Sequence, residues 1–278
     1  MALKDILVHV DNTKNCAGRL ETVMALANEC DAHVTGVYAY QRPVIPAFIQ
    51  AQIGQEVLEE QARQLTELRK KAEADFNEMV RKAGVRGEWR AVEGEAFEVL
   101  RLHARYSDLL VLGQYDPHDD ANEGLDDLPD RLVLSCGRPV LMVPYAGRFT
   151  DITRRVMVAW DGSRLACRAL NDALPLMERA KAVDVLSINP QDADKGHHTF
   201  PGADICLHLA RHGINAEAHH VVADDMDAGD MLLSRAADDG ASMLVMGAYG
   251  HRRLRELVLG GVTHHILKHM TAPVLMAH

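Results

Sequence analysis

Ten short apolar runs punctuate the chain, separated by stretches whose apolar residues recur with helical spacing. The first five are Ile6–Val10, Val34–Tyr40, Gly87–Val92, Leu109–Leu112 and Val140–Val143. The second five are Val156–Trp160, Val183–Ile188, Ala216–Val222, Met243–Met246 and Val274–Ala277. Apolar runs without polar alternation suit parallel strands covered on both faces. Strands alternating with helices imply right-handed βαβ units and a doubly wound α/β sheet. The longest predicted helix is Gln55–Lys82, followed by Gly84 as a residue suited to the left-handed turn that ends helices. Its charged face reads as solvated surface laced by i,i+4 pairs.

The pattern is written twice. Ile6–Asp11 and Val156–Asp161 are each an apolar run closing on an aspartate. Ser107–Gly113 is echoed by Ala241–Gly247, and Arg138–Val143 by Ala272–Ala277. Gly113 to Pro139 spans the same 26 positions as Gly247 to Pro273. Three matching segments in one order at one spacing indicate a duplication. The reading is therefore two tandem doubly wound domains, 1–147 and 153–278, each with a five-stranded parallel sheet flanked by helices. The last strands, Val140–Val143 and Val274–Ala277, need cover at their edges. Pairing with each other within one chain is the simplest cover, and a further homodimer is left open.

Composition narrows the function classes. The 278 residues are 47% hydrophobic and 25% charged, as in ordinary globular proteins. A net charge of −10 argues against a general nucleic-acid surface, which needs a basic excess. Met1–Asp11 lacks the apolar run of a signal peptide, and the apolar runs are too short to span a membrane. A cytoplasmic location is expected. The five cysteines form no C-x-x-C pair and read as buried free thiols.

The candidate chemistry lies in the second half. Gly247 and Gly250 directly follow a predicted strand, and Gly260-Gly261-Val262-Thr263 stands near the start of a predicted helix, Leu257–Met270. Glycines at a strand end let an anion approach peptide N–H groups, and a helix start adds unpaired N–H groups and a positive dipole end. Asp161-Gly162-Ser163 ends the first strand of the same half, at the predicted reversal of strand order where ligands bind. The plainer readings are turn glycines, a close-packing point and a helix N-cap. The loop fits neither G-x-x-x-x-G-K-[ST] nor a strand-borne G-x-G-x-x-G.

The segment Gly247-Ala-Tyr-Gly250-His-Arg-Arg-Leu-Arg-Glu-Leu-Val-Leu-Gly260-Gly-Val-Thr263, ending at Ala272-Pro273-Val274-Leu275, resembles the signature of ATP-binding universal stress proteins. The resemblance, in tandem form, covers essentially the whole chain. It implies a nucleotide-binding stress-response regulator acting on a protein partner, with ATP or a related adenine nucleotide as ligand, with or without Mg. By the family pattern Asp161 is the first-strand aspartate and Ile188 the second-strand residue whose backbone meets adenine. Gly247, Gly250, Gly260 and Val262 form the phosphate loop. The family's Ser or Thr after the third glycine is Gly261 here, and Thr263 stands two residues on. An interaction scaffold, or a small-ligand or metal carrier, are the alternatives.

In the first half the loop is degenerate. At the same 134-residue offset, Gly250 falls on Asp116, Gly260 and Gly261 on Asp126 and Asp127, and Thr263 on Pro129. Carboxylates where phosphate oxygens would lie oppose binding, and Asp116–Asp130 reads as a mobile, solvated acidic loop. Among 15 histidines, His265 and His269 share i,i+4 spacing, read as partners of a helix C-terminus rather than a metal pair. His219-His220 on a strand would point to opposite faces. Asp224, Asp225, Asp227 and Asp230 read as the capping region of a helix opening at Ala228. Arg252, Arg253 and Arg255 follow the glycines as available charge. No catalytic constellation emerges, so a slow ATPase is the most that is expected.

Overall fold

The computed structural model describes residues 2–41, 54–122, 124–189, 202–222, 226–249 and 261–278. The first half runs β1 (Asp5–His9), α1 (Cys16–Cys30), β2 (His33–Tyr40), α2 (Gln55–Ala83), β3 (Arg86–Glu93), α3 (Ala96–Ala104), β4 (Leu109–Gly113), α4 (Leu128–Ser135) and β5 (Val140–Val143). The second runs β6 (Arg155–Ala159), α5 (Arg164–Met177), β7 (Ala182–Ile188), α6 (Ala203–Arg211), β8 (Ala216–Val221), α7 (Ala228–Asp238), β9 (Met243–Gly247), α8 (Gly261–His269) and β10 (Val274–Ala277). All ten predicted strands are present. Gly84 ends α2 at φ 68°, the left-handed conformation that glycine adopts without a Cβ clash. Of the predicted Leu257–Met270 helix, the described part is Gly261–His269.

The two five-stranded sheets join through their last strands into one sheet of ten, in the order β3-β2-β1-β4-β5-β10-β9-β6-β7-β8. Within each half the pairing is parallel. At the centre β5 and β10 pair antiparallel, with Leu141 opposite Leu275. The central strands are covered on both faces, as their unbroken apolar runs require. β3 and β8 are different, because they form the outer edges and expose much of their length. That accounts for Arg, Glu and His within these two runs.

Helices α1, α2, α5 and α6 pack on one face, and α3, α4, α7 and α8 on the other. Each face carries an apolar cluster that runs through both halves. The likeness of the two halves extends to small details. Asp108 Oδ2 accepts from Lys4 and Asp5 N–H at 2.8 and 3.0 Å, and Ser242 Oγ accepts from Arg155 N–H at 2.8 Å at the matching place. All five cysteines are free; Cys16, Cys30 and Cys136 are buried as expected, whereas Cys206 is half-buried and Cys167 exposed on α5. Among the described residues no helix is long and apolar enough to cross a membrane.

The long helix α2 is anchored by few residues, chiefly Ala72 and the fully buried Phe76. Gly36 on β2 makes room for that ring, since a Cβ there would come within 2.6 Å of it. Trp89 packs beside it with ring centroids 5.7 Å apart. Phe76→Ala is predicted to cost about 3–5 kcal/mol of stability through the cavity it leaves. Urea unfolding followed by circular dichroism measures this; a cost below about 1 kcal/mol would mean that α2 is not held by this ring.

Candidate functional site

In the second half β6 neighbours β9 on one side and β7 on the other, so the strand order reverses between β6 and β9. Asp161, Ile188 and Gly247 stand at or just past the carboxyl ends of β6, β7 and β9. The fold therefore gathers these three at the crevice expected of a doubly wound sheet. Gly250 and Gly260, like Arg252, Arg253 and Arg255, lie outside the described residues.

Local chemistry sets this crevice. Asp161 is exposed, and its Oδ1 accepts from Ser163 N–H at 2.9 Å. Ser163 is the N-cap of α5, with Oγ accepting from Ala166 N–H at 3.1 Å. Gly247 is required by packing, because a Cβ there would lie 2.5 Å from the Leu165 carbonyl carbon and 2.6 Å from Ala166 N. The end of β9 is thus pressed against the first turn of α5, where unpaired N–H groups and the positive dipole end gather. Gly261 opens α8 at an exposed position where a Cβ would meet nothing within 4 Å. Val262 is half-buried.

Thr263 stands on the first turn of α8. It is buried, and its Oγ1 accepts from Tyr249 N–H at 3.1 Å. Tyr249 sits at φ 61°, a conformation that bulky residues rarely adopt. The first half holds its other end, for the phenol donates to Asp130 on α4. Burial, then the hydrogen bond and charge of Asp130, push this phenol far above its ordinary range, so it stays a donor. Nearby, Gln114 Nε2 donates to the Leu267 and Lys268 carbonyls at 3.0 Å, tying the end of β4 to the last turn of α8.

In the first half the space over Gly113 is filled, whereas beside Asp11 a groove of about 580 Å³ stays open between α1 and α2, lined among others by Val10, Thr13, Lys14 and Lys71. Arg19 on α1 is 3% exposed and its Nη2 donates to Asp11 Oδ2 at 2.7 Å. Its Nη1 lies 2.1 Å from where a Cβ on Gly113 would be, so Gly113 is open to this guanidinium rather than to a phosphate. The cavity left among His9, Asp11, Arg19 and Pro129 is about 20 Å³, room for about one water. The acidic loop, expected to be mobile and solvated, is bonded down. Asp119 Oδ2 accepts from Lys14 N–H at 2.7 Å, Asn122 Nδ2 donates to the Asp116 carbonyl at 3.2 Å, and Asp119, Asn122 and Asp130 are buried. Short polar side chains that find backbone partners order a loop that charge alone would leave solvated.

The remaining expectations divide. Asp227 is the N-cap of α7, its Oδ1 accepting from Gly229 N–H at 2.8 Å, while Asp224 and Asp225 lie outside the described residues. The His265 and His269 rings lie tilted against each other with centroids 4.6 Å apart, and His265 Nε2 is 2.8 Å from Asp230 Oδ1. Arg19 was missed: nothing in its spacing from Asp11 marks it until α1 lies over β4.

This geometry defines a doubly wound α/β protein with an exposed Asp161 at one reversal point of its sheet and a buried Arg19–Asp11 ion pair at the other. Residues 153–278 match the model of the universal stress protein family. A universal stress protein of Synechocystis sp. is 27% identical over 177 residues, which span 60% of this chain and 57% of that relative. In fold, the chain is similar to a universal stress protein from Archaeoglobus fulgidus, with TM-score 0.73 and 16% identity over 98% of this chain and 95% of that one. A functionally unknown protein from Pseudomonas aeruginosa PAO1 follows, with TM-score 0.60 and 14% identity over 99% and 92% of the two chains.

The buried Arg19–Asp11 pair gives a pH prediction. Burial drives the His9 imidazole down to about 4, with Arg19 adding to this and Asp11 opposing it. Burial alone would raise Asp11, but Arg19, helped by His9 and Thr13, holds it at about 2. Both folded values are depressed, so the unfolded chain takes up protons first as pH falls. Stability is lost from about pH 6.5 towards 4 through His9, and from about 4 towards 2 through Asp11. The expected loss through His9 is on the order of 3 kcal/mol. Urea unfolding across pH 8 to 4 should give a shallower decline for His9→Gln than for the native chain; equal slopes would refute it.

Proposed function

We propose that the chain is a tandem universal stress protein, with domains 1–147 and 153–278. It binds ATP or a related adenine nucleotide, with or without Mg, in the second domain only, and acts in the cytoplasm as a stress-response regulator through a protein partner. One observation carries this reading. At the reversal between β6 and β9 the second half leaves Asp161 exposed beside the N-terminus of α5, while at the matching place the first half buries Asp11 in an ion pair with Arg19. An open helix N-terminus beside a glycine-ended strand suits phosphate. The space over Gly113, taken by the Arg19 guanidinium with about 20 Å³ left, does not.

A second reading has its own observation. Gly261 supplies no hydroxyl, and the Thr263 hydroxyl is buried, 3% exposed, against Tyr249 N–H. On that ground the chain would be an interaction scaffold that no longer holds nucleotide. Calorimetric titration of nucleotide-stripped protein with Mg-ATP separates the two. The proposal predicts one site per chain, weakened at least about tenfold by Asp161→Ala. Gly261→Ser should tighten it about fivefold or more, since one hydrogen bond to a charged acceptor contributes about 1–3 kcal/mol. Absence of heat up to millimolar Mg-ATP in both native and Gly261→Ser protein would favour the scaffold.

A further inference from the structure

Near the amino ends of β6, β7 and β8, away from the crevice, the sheet carries a charged group on one face. Arg155 opens β6, Asp184 lies on β7, and Glu217 and His219 lie on the edge strand β8. Asp184 is in register with Met157 and Glu217, and Leu186 with His219. Side chains alternate along a strand and align between neighbours, so all four project to the same face as Met157 and Leu186.

The contacts are specific. Arg155 Nε donates to Asp184 Oδ2 at 2.7 Å and Nη2 to Oδ1 at 3.2 Å. From the other side His219 Nε2 stands 3.3 Å from Asp184 Oδ1, and Glu217 Oε2 is 3.9 Å from the same nitrogen. The three ligand atoms of Asp184, Glu217 and His219 all lie within 4.8 Å of one another. Ligands about 2.0–2.2 Å from a tetrahedral zinc ion stand about 3.3–3.5 Å apart. The Asp184–His219 pair already meets that spacing. Glu217, with its side chain 76% exposed, has rotamer freedom to bring its two distances to that spacing.

We propose that Asp184, Glu217 and His219 form a three-ligand site for zinc or a similar first-row divalent cation, with Arg155 as a positioning residue. The Asp184 side chain is 4% exposed, and the bidentate guanidinium fixes its plane while leaving a lone pair of Oδ1 for the cation. Two carboxylates against one guanidinium leave one formal negative charge, which a divalent cation complements. Mixed N and O donors suit zinc, and the solvent side of β8 admits water as a fourth ligand. None of these residues belongs to the candidate nucleotide crevice, so the two proposals stand or fall separately.

The test is calorimetric titration of full-length, tag-free, chelator-stripped protein with zinc chloride, comparing the native chain with Glu217→Gln and His219→Ala. With 15 histidines in the chain, weak scattered binding is expected, and the difference between proteins is the readout. The proposal predicts one saturable equivalent in the native chain, weakened at least about tenfold in each variant. Glu217 is exposed, so its variant keeps the test valid should His219→Ala fold poorly. Cobalt absorption gives a second readout, with a tetrahedral spectrum that Glu217→Gln loses. Equal zinc affinity in native and Glu217→Gln protein, or no saturable equivalent in the native chain, overturns the site and leaves an ion-pair network that ties β8 to β7.

Discussion

The antiparallel pairing of β5 with β10 is the contact on which the rest of the structure depends. Each half alone would expose an edge of fully apolar residues, Val140–Val143 or Val274–Ala277. Paired, they bury both edges and merge two five-stranded sheets into one of ten. The apolar layers on the two faces then become continuous across the halves. An approximate two-fold relation follows, and it brings like positions face to face: Asp130 and its counterpart His264 stand 3.8 Å apart.

That joint explains why the two crevices can differ without either half losing its fold. The first half contributes Asp130 and Gln114, which hold Tyr249 and the last turn of α8 in the second. The first half fills the space over Gly113 with Arg19, paired to Asp11, and orders its acidic loop on the β1–α1 loop. A buried ion pair adds little net stability by itself. Its effect here is to fill space and fix the β1–α1 loop against β4. The positive φ of Tyr249 is strain at the candidate loop that Thr263 and Asp130 hold in place.

Much of the fold was legible because its signals are local. Ten apolar runs mark ten strands, and Gly84 marks the end of α2. The repeat could be read from segments such as Ser107–Gly113 and Ala241–Gly247. Candidate residues at strand ends, Asp161 and Gly247, were legible for the same reason. What stayed hidden depends on register and long-range approach. Arg19 matters only once α1 lies over Gly113. Tyr249 and Asp130 are 119 positions apart. Asp184, Glu217 and His219 meet only because β7 and β8 pair in one register. The solvated-loop expectation for Asp116–Asp130 failed because charge count ignores backbone partners such as Lys14 N–H.

The central claim is that nucleotide binds the crevice of the second half and not that of the first. Hydrogen–deuterium exchange read by mass spectrometry, with and without saturating Mg-ATP, tests it most directly. The account predicts added protection in peptides covering the carboxyl ends of β6, β7 and β9 and the start of α5, with no change across Val10–Leu20. Protection across Val10–Leu20, or none in the second half, would contradict it.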